Sequence, residues 1–227
     1  MYHCIHSPPK IQDLSMTGTW RDTLFVWKGV IVTRGVGQGV GDDPAALWDG
    51  NWIGEEDCAD ACKAELPDFE ESKLTFECNG SVEKKTEEAC YLSVGGEWAM
   101  QGETKIDRHF DKRHEIRLPI VKENDTVEDM QEKNVAVAVG ENNFGSFISA
   151  GFQSHGRGGD MVLTLGRRYL EDGDVRSAWT LEELYEKVLE TYKKLDKDHS
   201  SRLPWQSDHL HAETLHAKRK IKRRRKS

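Results

Sequence analysis

The chain has 227 residues, 37% of them hydrophobic and 32% charged, with seven Trp, seven Phe and five Tyr. Those proportions exclude collagen, a coiled coil, a disulfide-dense mini-protein and a wholly disordered polymer. No run approaches the roughly 18 apolar residues of a membrane-spanning helix, so no membrane span is predicted.

The net charge of −8 is unevenly spread. Of 32 Lys and Arg, eight lie in residues 218–226 (KRKIKRRRK), leaving 24 cations against 40 Asp and Glu, a balance of −16, in the rest. An acidic body does not attract phosphate backbones, so nucleic-acid contact is assigned to the tail if it occurs at all. The opening MYHCIHSPPKIQ lacks the basic and apolar regions of a secretory signal. Five cysteines are an odd number, read as free thiols in a reducing compartment, the nucleus or cytoplasm.

Residues 1–15 read as a flexible arm, since Pro8-Pro9 disfavours helix. From 16 onward, alternating apolar and polar residues predict about eight strands. They fall at 17–27, 46–53, 73–78, 96–106, 113–121, 134–139, 144–152 and 161–170. Pro119 marks an edge, a bulge or a strand end, and Asn142-Asn143 marks a turn. Short connections between the last three strands predict an antiparallel meander. A glycine-rich loop at 35–44, an acidic insertion at 54–72 and a charged hairpin loop around 107–113 interrupt the pattern.

A helix follows. Thr180-Leu181-Glu182-Glu183 has the form of a capping box, and Leu181, Leu184, Tyr185, Val188, Leu189, Tyr192 and Leu195 share one face. Residues 197–227 are polar, weakly periodic and read as a disordered tail. Eight strands hide both sheet edges by closing into an up-and-down barrel. The predicted fold is therefore mainly β: an antiparallel barrel over 16–196, a C-terminal α-helix and a basic tail.

Gly18-Thr19-Trp20 opens the first predicted strand. This G-x-W string resembles the short motif of lipocalin-like, or calycin, barrels. The resemblance implies that Trp20 closes one barrel end, beside Gly18, with Arg167 or Arg168 from the last strand packed over it. A helix after the final strand agrees with that plan, and the acidic insertion departs from it.

Candidate chemistry is sparse. Trp48, Trp52 and Trp98, with His114 and Asn143, are the residues predicted to line an apolar cavity for a ligand. Packed core side chains and a plain hairpin turn are the competing reading. GVGQGVG at 35–41 matches no phosphate-binding motif. Cys58 and Cys62 share a helix face, but Cys78 and Cys90 are too far apart for a paired zinc knuckle, so no metal site is assigned. No nucleophile with a base is evident, and no catalytic residue is named.

Three functions are ordered on these grounds. First is a non-catalytic intracellular barrel that binds a small apolar or amphipathic ligand or a protein partner. Second is a nuclear interaction scaffold whose tail, Lys218, Arg219, Lys220, Lys222, Arg223, Arg224, Arg225 and Lys226, contacts an import receptor or nucleic acid. Last is an enzyme on a calycin-like barrel. The cofactor is left unknown.

Overall fold

The computed structural model describes residues 24–34, 45–55, 74–102, 105–120, 134–155 and 160–194. Eight strands run in chain order: β1 (Leu24–Thr33), β2 (Ala46–Glu55), β3 (Thr75–Lys85), β4 (Ala89–Gln101), β5 (Ile106–Pro119), β6 (Val135–Asn142), β7 (Gly145–His155) and β8 (Met161–Tyr169). Each pairs antiparallel with the next, and β8 pairs with β1, so the sheet closes into a barrel with no free edge. A short 3-10 turn (Val175–Ala178) leads to α1 (Leu181–Lys194).

Strand number and order match the expectation, but several boundaries differ. Among the described residues the first strand runs from Leu24 to Thr33 through the β-favouring LFVWKGVIVT, and Gly18 and Trp20 lie outside them. Gly29 interrupts that strand without ending it because it sits directly opposite Gly50. A β-carbon on either would overlap the backbone carbonyl of Asp49 or Lys28, so two glycines let β1 and β2 approach closely.

The strand predicted at 96–106 is divided. The Gly102 N–H donates to the Lys105 carbonyl at 2.9 Å, closing a turn, so β4 ends at Gln101 and β5 starts at Ile106. The charged segment 107–113 is consequently strand, not loop. A run of charges fits a strand here because alternation in a barrel strand also puts a polar face outward. Pro119 ends β5, where its missing N–H costs no ladder bond. The arm, the loop at 35–44, most of the acidic insertion and the tail lie outside the described residues.

Inward side chains fill the barrel. Trp27, Trp48, Trp52, Phe76 and Trp98 form a contiguous aromatic group, with Trp27 and Trp52 stacked at 5.8 Å between ring centroids. Ile31, Leu92, Leu118 and Leu163 complete the opposite end. A second apolar layer lies outside the barrel wall. Outward Val26, Val135, Val137, Ile148 and Ala150 are covered by Leu181, Leu184 and Val188 of α1.

The N-terminus of α1 is a capping box. The Thr180 N–H donates to Glu183 Oε2 at 2.9 Å, and the Glu183 N–H returns a bond to Thr180 Oγ1 at 3.2 Å. Arg117 of β5 packs its guanidinium 3.5 Å from the centroid of the Tyr185 ring. Leu184 is fully buried in this layer, so Leu184→Ala is expected to cost about 3 kcal/mol, against about 1 kcal/mol for Thr180→Ala. Urea unfolding of the two variants checks both values. Equal, small losses would mean that α1 does not depend on the barrel wall.

Candidate functional site

A hydrogen-bonded polar group sits inside this apolar barrel, towards the end formed by the start of β1 and the end of β8. Arg167 and Asp111 are both buried, and their side chains meet in a two-pronged pair: Nη2 to Oδ2 at 2.6 Å and Nη1 to Oδ1 at 3.3 Å. Trp98 Nε1 donates to Asp111 Oδ1 at 3.1 Å, and Asn142 Nδ2 donates to the same oxygen at 2.9 Å. Asn142 also lies 2.8 Å from the Tyr169 hydroxyl and accepts the Phe144 N–H through Oδ1. The Arg167 guanidinium is sandwiched between Trp27, 3.9 Å from the ring centroid, and Phe147, at 3.8 Å. Both contacts are desolvated cation–π interactions.

The local backbone explains how Asp111 joins this group. A regular strand puts residues an odd number apart on opposite faces. Asp111 and His114 are three apart, yet both point inward. The register of β5 against β4 shifts between Val94 and Gly96, and against β6 between Asp111 and Arg113. This bulge absorbs one residue and returns His114 to the interior.

Cys78 of β3 completes a second, adjoining cluster. One ligand-capable atom each from Cys78, Asp111 and His114 lies within 4.8 Å of the other two, and all three residues are buried. His114 Nδ1 is 3.7 Å from Asp111 Oδ2, too far for a hydrogen bond, and neither imidazole nitrogen has a partner. The ring is packed against Trp48 and Phe147, at 5.7 and 5.2 Å between centroids.

The electrostatics follow from this burial. Desolvation pushes the Cys78 thiol up to about 12, and the Asp111 charge adds to it. Desolvation, reinforced by Arg167 and opposed by Asp111, pulls His114 down to about 3. Burial raises the Asp111 carboxyl, but the Arg167 charge, His114 and hydrogen bonds from Arg167 and Asn142 outweigh it and hold it below its ordinary value. At neutral pH the cluster therefore comprises a protonated thiol, a neutral imidazole and an ion pair. Cys78 is not a thiolate nucleophile in this state.

Beside the ion pair, a small cavity opens at the same barrel end. Its volume is about 20 Å³, room for one water-sized group, and Phe25, Trp27, Trp52, Trp98, Met100, Phe144 and Tyr169 line it. Trp48, Trp52, Trp98 and His114 are thus gathered inside the barrel, with Trp52 and Trp98 on the cavity wall. Asn143 is exposed in the turn, and its neighbour Asn142 is the one that turns inward, because Asn142 pairs with Gly145 at the last inward position of β6. Gly145 takes φ +116°, which accounts for glycine there. Arg167 lies inside over Trp27, Arg168 occupies the opposite face of β8, and Gly18 and Trp20 lie outside the described residues. Lys218 to Lys226 fall outside the described residues.

Sequence reasoning missed Asp111, Asn142, Tyr169 and Cys78 as site residues. The available signal was RHFDKRH read as strand, which aligns His109 with Asp111. His114 joins them only through the bulge. Comparison with family models, with curated proteins and with solved structures finds no match to this chain. Among the described residues, no helix is long and apolar enough to cross a membrane.

Two outcomes follow from the buried charges. Asp111→Asn is expected to cost about 3–5 kcal/mol by leaving Arg167 uncompensated, while the double variant Asp111→Leu/Arg167→Met costs less than the sum of its single changes. A denaturant-based double-mutant cycle measures this, and strict additivity would mean the pair is not coupled.

The second outcome concerns pH. His114 binds its proton less readily folded than unfolded, so its contribution is intact above the ordinary value of 6.5 and is lost as pH falls towards about 3. Asp111 acts in the same direction at lower pH, through its depressed folded value. Stability between pH 6 and 4 should fall by up to about 1.4 kcal/mol per unit from His114 alone. His114→Phe should remove that slope in urea melts across this range.

Proposed function

We propose that this chain is a non-catalytic binding module on a calycin-like barrel, taking a small apolar or amphipathic ligand at the Trp52–Trp98 end. The cavity there carries the reading. Aromatic and sulfur-containing side chains wall it, and one of them, Tyr169, is tied through its hydroxyl to Asn142 behind the wall. Barrel mouths with an apolar wall and a few oriented polar groups are common ligand sites. The arginine over an inward tryptophan, Arg167 over Trp27, supports the calycin comparison in kind.

The size of the cavity narrows the ligand. About 20 Å³ admits a slim end such as a methyl group or the edge of a ring, with the remainder lying across the rim. Phe144 is only partly buried at that rim, so its rotation is the simplest way to admit more. The buried ion pair offers no free acid or base. Asp111 already accepts from Arg167, Trp98 and Asn142.

Native mass spectrometry of the purified full chain tests this reading, alongside quenching of tryptophan fluorescence by a graded series of apolar probes. A bound small molecule or saturable quenching is expected, and Met100→Trp, which fills the cavity, should abolish either. A chain that neither carries nor binds such molecules would overturn it.

A second reading rests on a different observation, the dense basic run beyond an acidic body. Here the filled barrel is a scaffold and residues 218–226 are an import signal. The full chain fused to a reporter too large to diffuse through nuclear pores should be nuclear, and a chain ending at Ala217 should not. Equal distribution of the two would remove the import role.

A further inference from the structure

The cluster of Cys78, Asp111 and His114 is not explained by ligand binding at the barrel mouth. None of the three lines that cavity. His114 is fully buried, and a neutral imidazole carries one donor and one acceptor, yet neither nitrogen is satisfied. Such a vacancy in a protein interior calls for a partner. The bulge in β5 costs regular pairing and turns this histidine towards Asp111 and Cys78.

We propose that Cys78 Sγ, His114 Nδ1 and Asp111 Oδ2 bind one soft, thiophilic metal ion, of the cuprous class, inside the barrel. The spacing suits it. Two ligands bound at about 2.1 Å and separated by 3.7 Å, as His114 Nδ1 and Asp111 Oδ2 are, subtend an angle near 120° at the metal. One ligand-capable atom of each residue lies within 4.8 Å of the other two, so side-chain shifts of about half an ångström close a trigonal site.

Ligand chemistry and charge choose the ion. A thiolate selects soft cations, zinc and copper(I) among them. Binding replaces the Cys78 S–H by an S–metal bond and releases one proton. The interior then holds one thiolate, one carboxylate and the Arg167 cation, a sum of −1 that a monovalent ion brings to zero. A divalent ion would leave one uncompensated positive charge among buried rings, which is costly. Trp48 and Phe147 pack on the imidazole, so the surroundings favour a closed site with three protein ligands. Catalytic zinc sites, by contrast, keep a fourth position open. Because the site is sealed, the ion enters as the chain folds, and its binding energy adds to folding.

The test is anaerobic refolding of the full chain with Cu(I) held by a chromogenic competitor. Refolded parent should retain one equivalent more than Cys78→Ser and melt several degrees higher than without copper. His114→Phe, similar in volume and apolar, should lose the thermal shift while remaining folded. X-ray absorption at the copper edge of the parent needs no variant: mixed sulfur and nitrogen or oxygen neighbours are expected. Neighbours of sulfur alone would place the ion on the other thiols and overturn the site. Equal uptake by parent and Cys78→Ser would do the same, and one equivalent of zinc taken up in preference to copper would overturn the monovalent assignment.

Discussion

The Arg167–Asp111 pair is the interaction on which the interior is organised. Arg167 comes from β8 and Asp111 from β5, and the partners around them are Trp27 of β1, Trp98 of β4, Asn142 of β6 and Phe147 of β7. Six strands therefore meet at one ion pair. Its Coulomb energy is largely offset by the desolvation of both ions, and an apolar replacement of equal volume can be as stable. Its larger consequence is geometric. A planar guanidinium held in plane by a carboxylate and on both faces by rings fits one arrangement of strands, and a slipped register would strand a charge in the core.

The bulge in β5 makes that pair compatible with the remaining strand. Without it, an inward Asp111 would put His114, Ile116 and Leu118 on the solvent face. With it, Asp111 is inward above the bulge, and all three are inward below it. The same irregularity places a neutral imidazole and a thiol beside the carboxylate. The buried charges described inside the barrel are thus concentrated beside a single backbone defect, while the far half is packed mostly by apolar side chains, with Gln153 a buried polar one.

Function is bounded by that packing. A cavity of about 20 Å³ does not enclose a molecule of ordinary ligand size, so the proposed binding at the mouth calls on rim side chains, with Phe144 the most exposed of the aromatic ones. Part of the outer wall is committed as well, because α1 covers the valines of β6. Activities built on a nucleophile and base find no support in the ion pair: its carboxylate is held by Arg167, Trp98 and Asn142, and the neighbouring thiol is protonated.

Much of the architecture was legible in the order of residues. Period-2 alternation and hairpin-length connections specify strands and an antiparallel meander, and edge protection specifies closure. The capping box at Thr180 and the stripe through Leu184 and Val188 specify a docked helix, because both are local or one-dimensional patterns. The inward placement of Trp48, Trp52, Trp98 and His114 was legible for the same reason. What only the tertiary structure decided is which polar residues meet. Asp111 looked like a loop charge, because its partners Arg167 and Asn142 are 56 and 31 residues away and no local pattern links them. Asn142 rather than Asn143 turns inward because strand register, set by the whole sheet, chooses the face. Arg167 rather than Arg168 enters the barrel for that reason too, and it finds Trp27 there because closure of β8 on β1 brings the two strands together. Cys78 and His114 become neighbours only across a bulge whose position depends on the pairing of β4, β5 and β6, a long-range property that residue spacing alone does not encode.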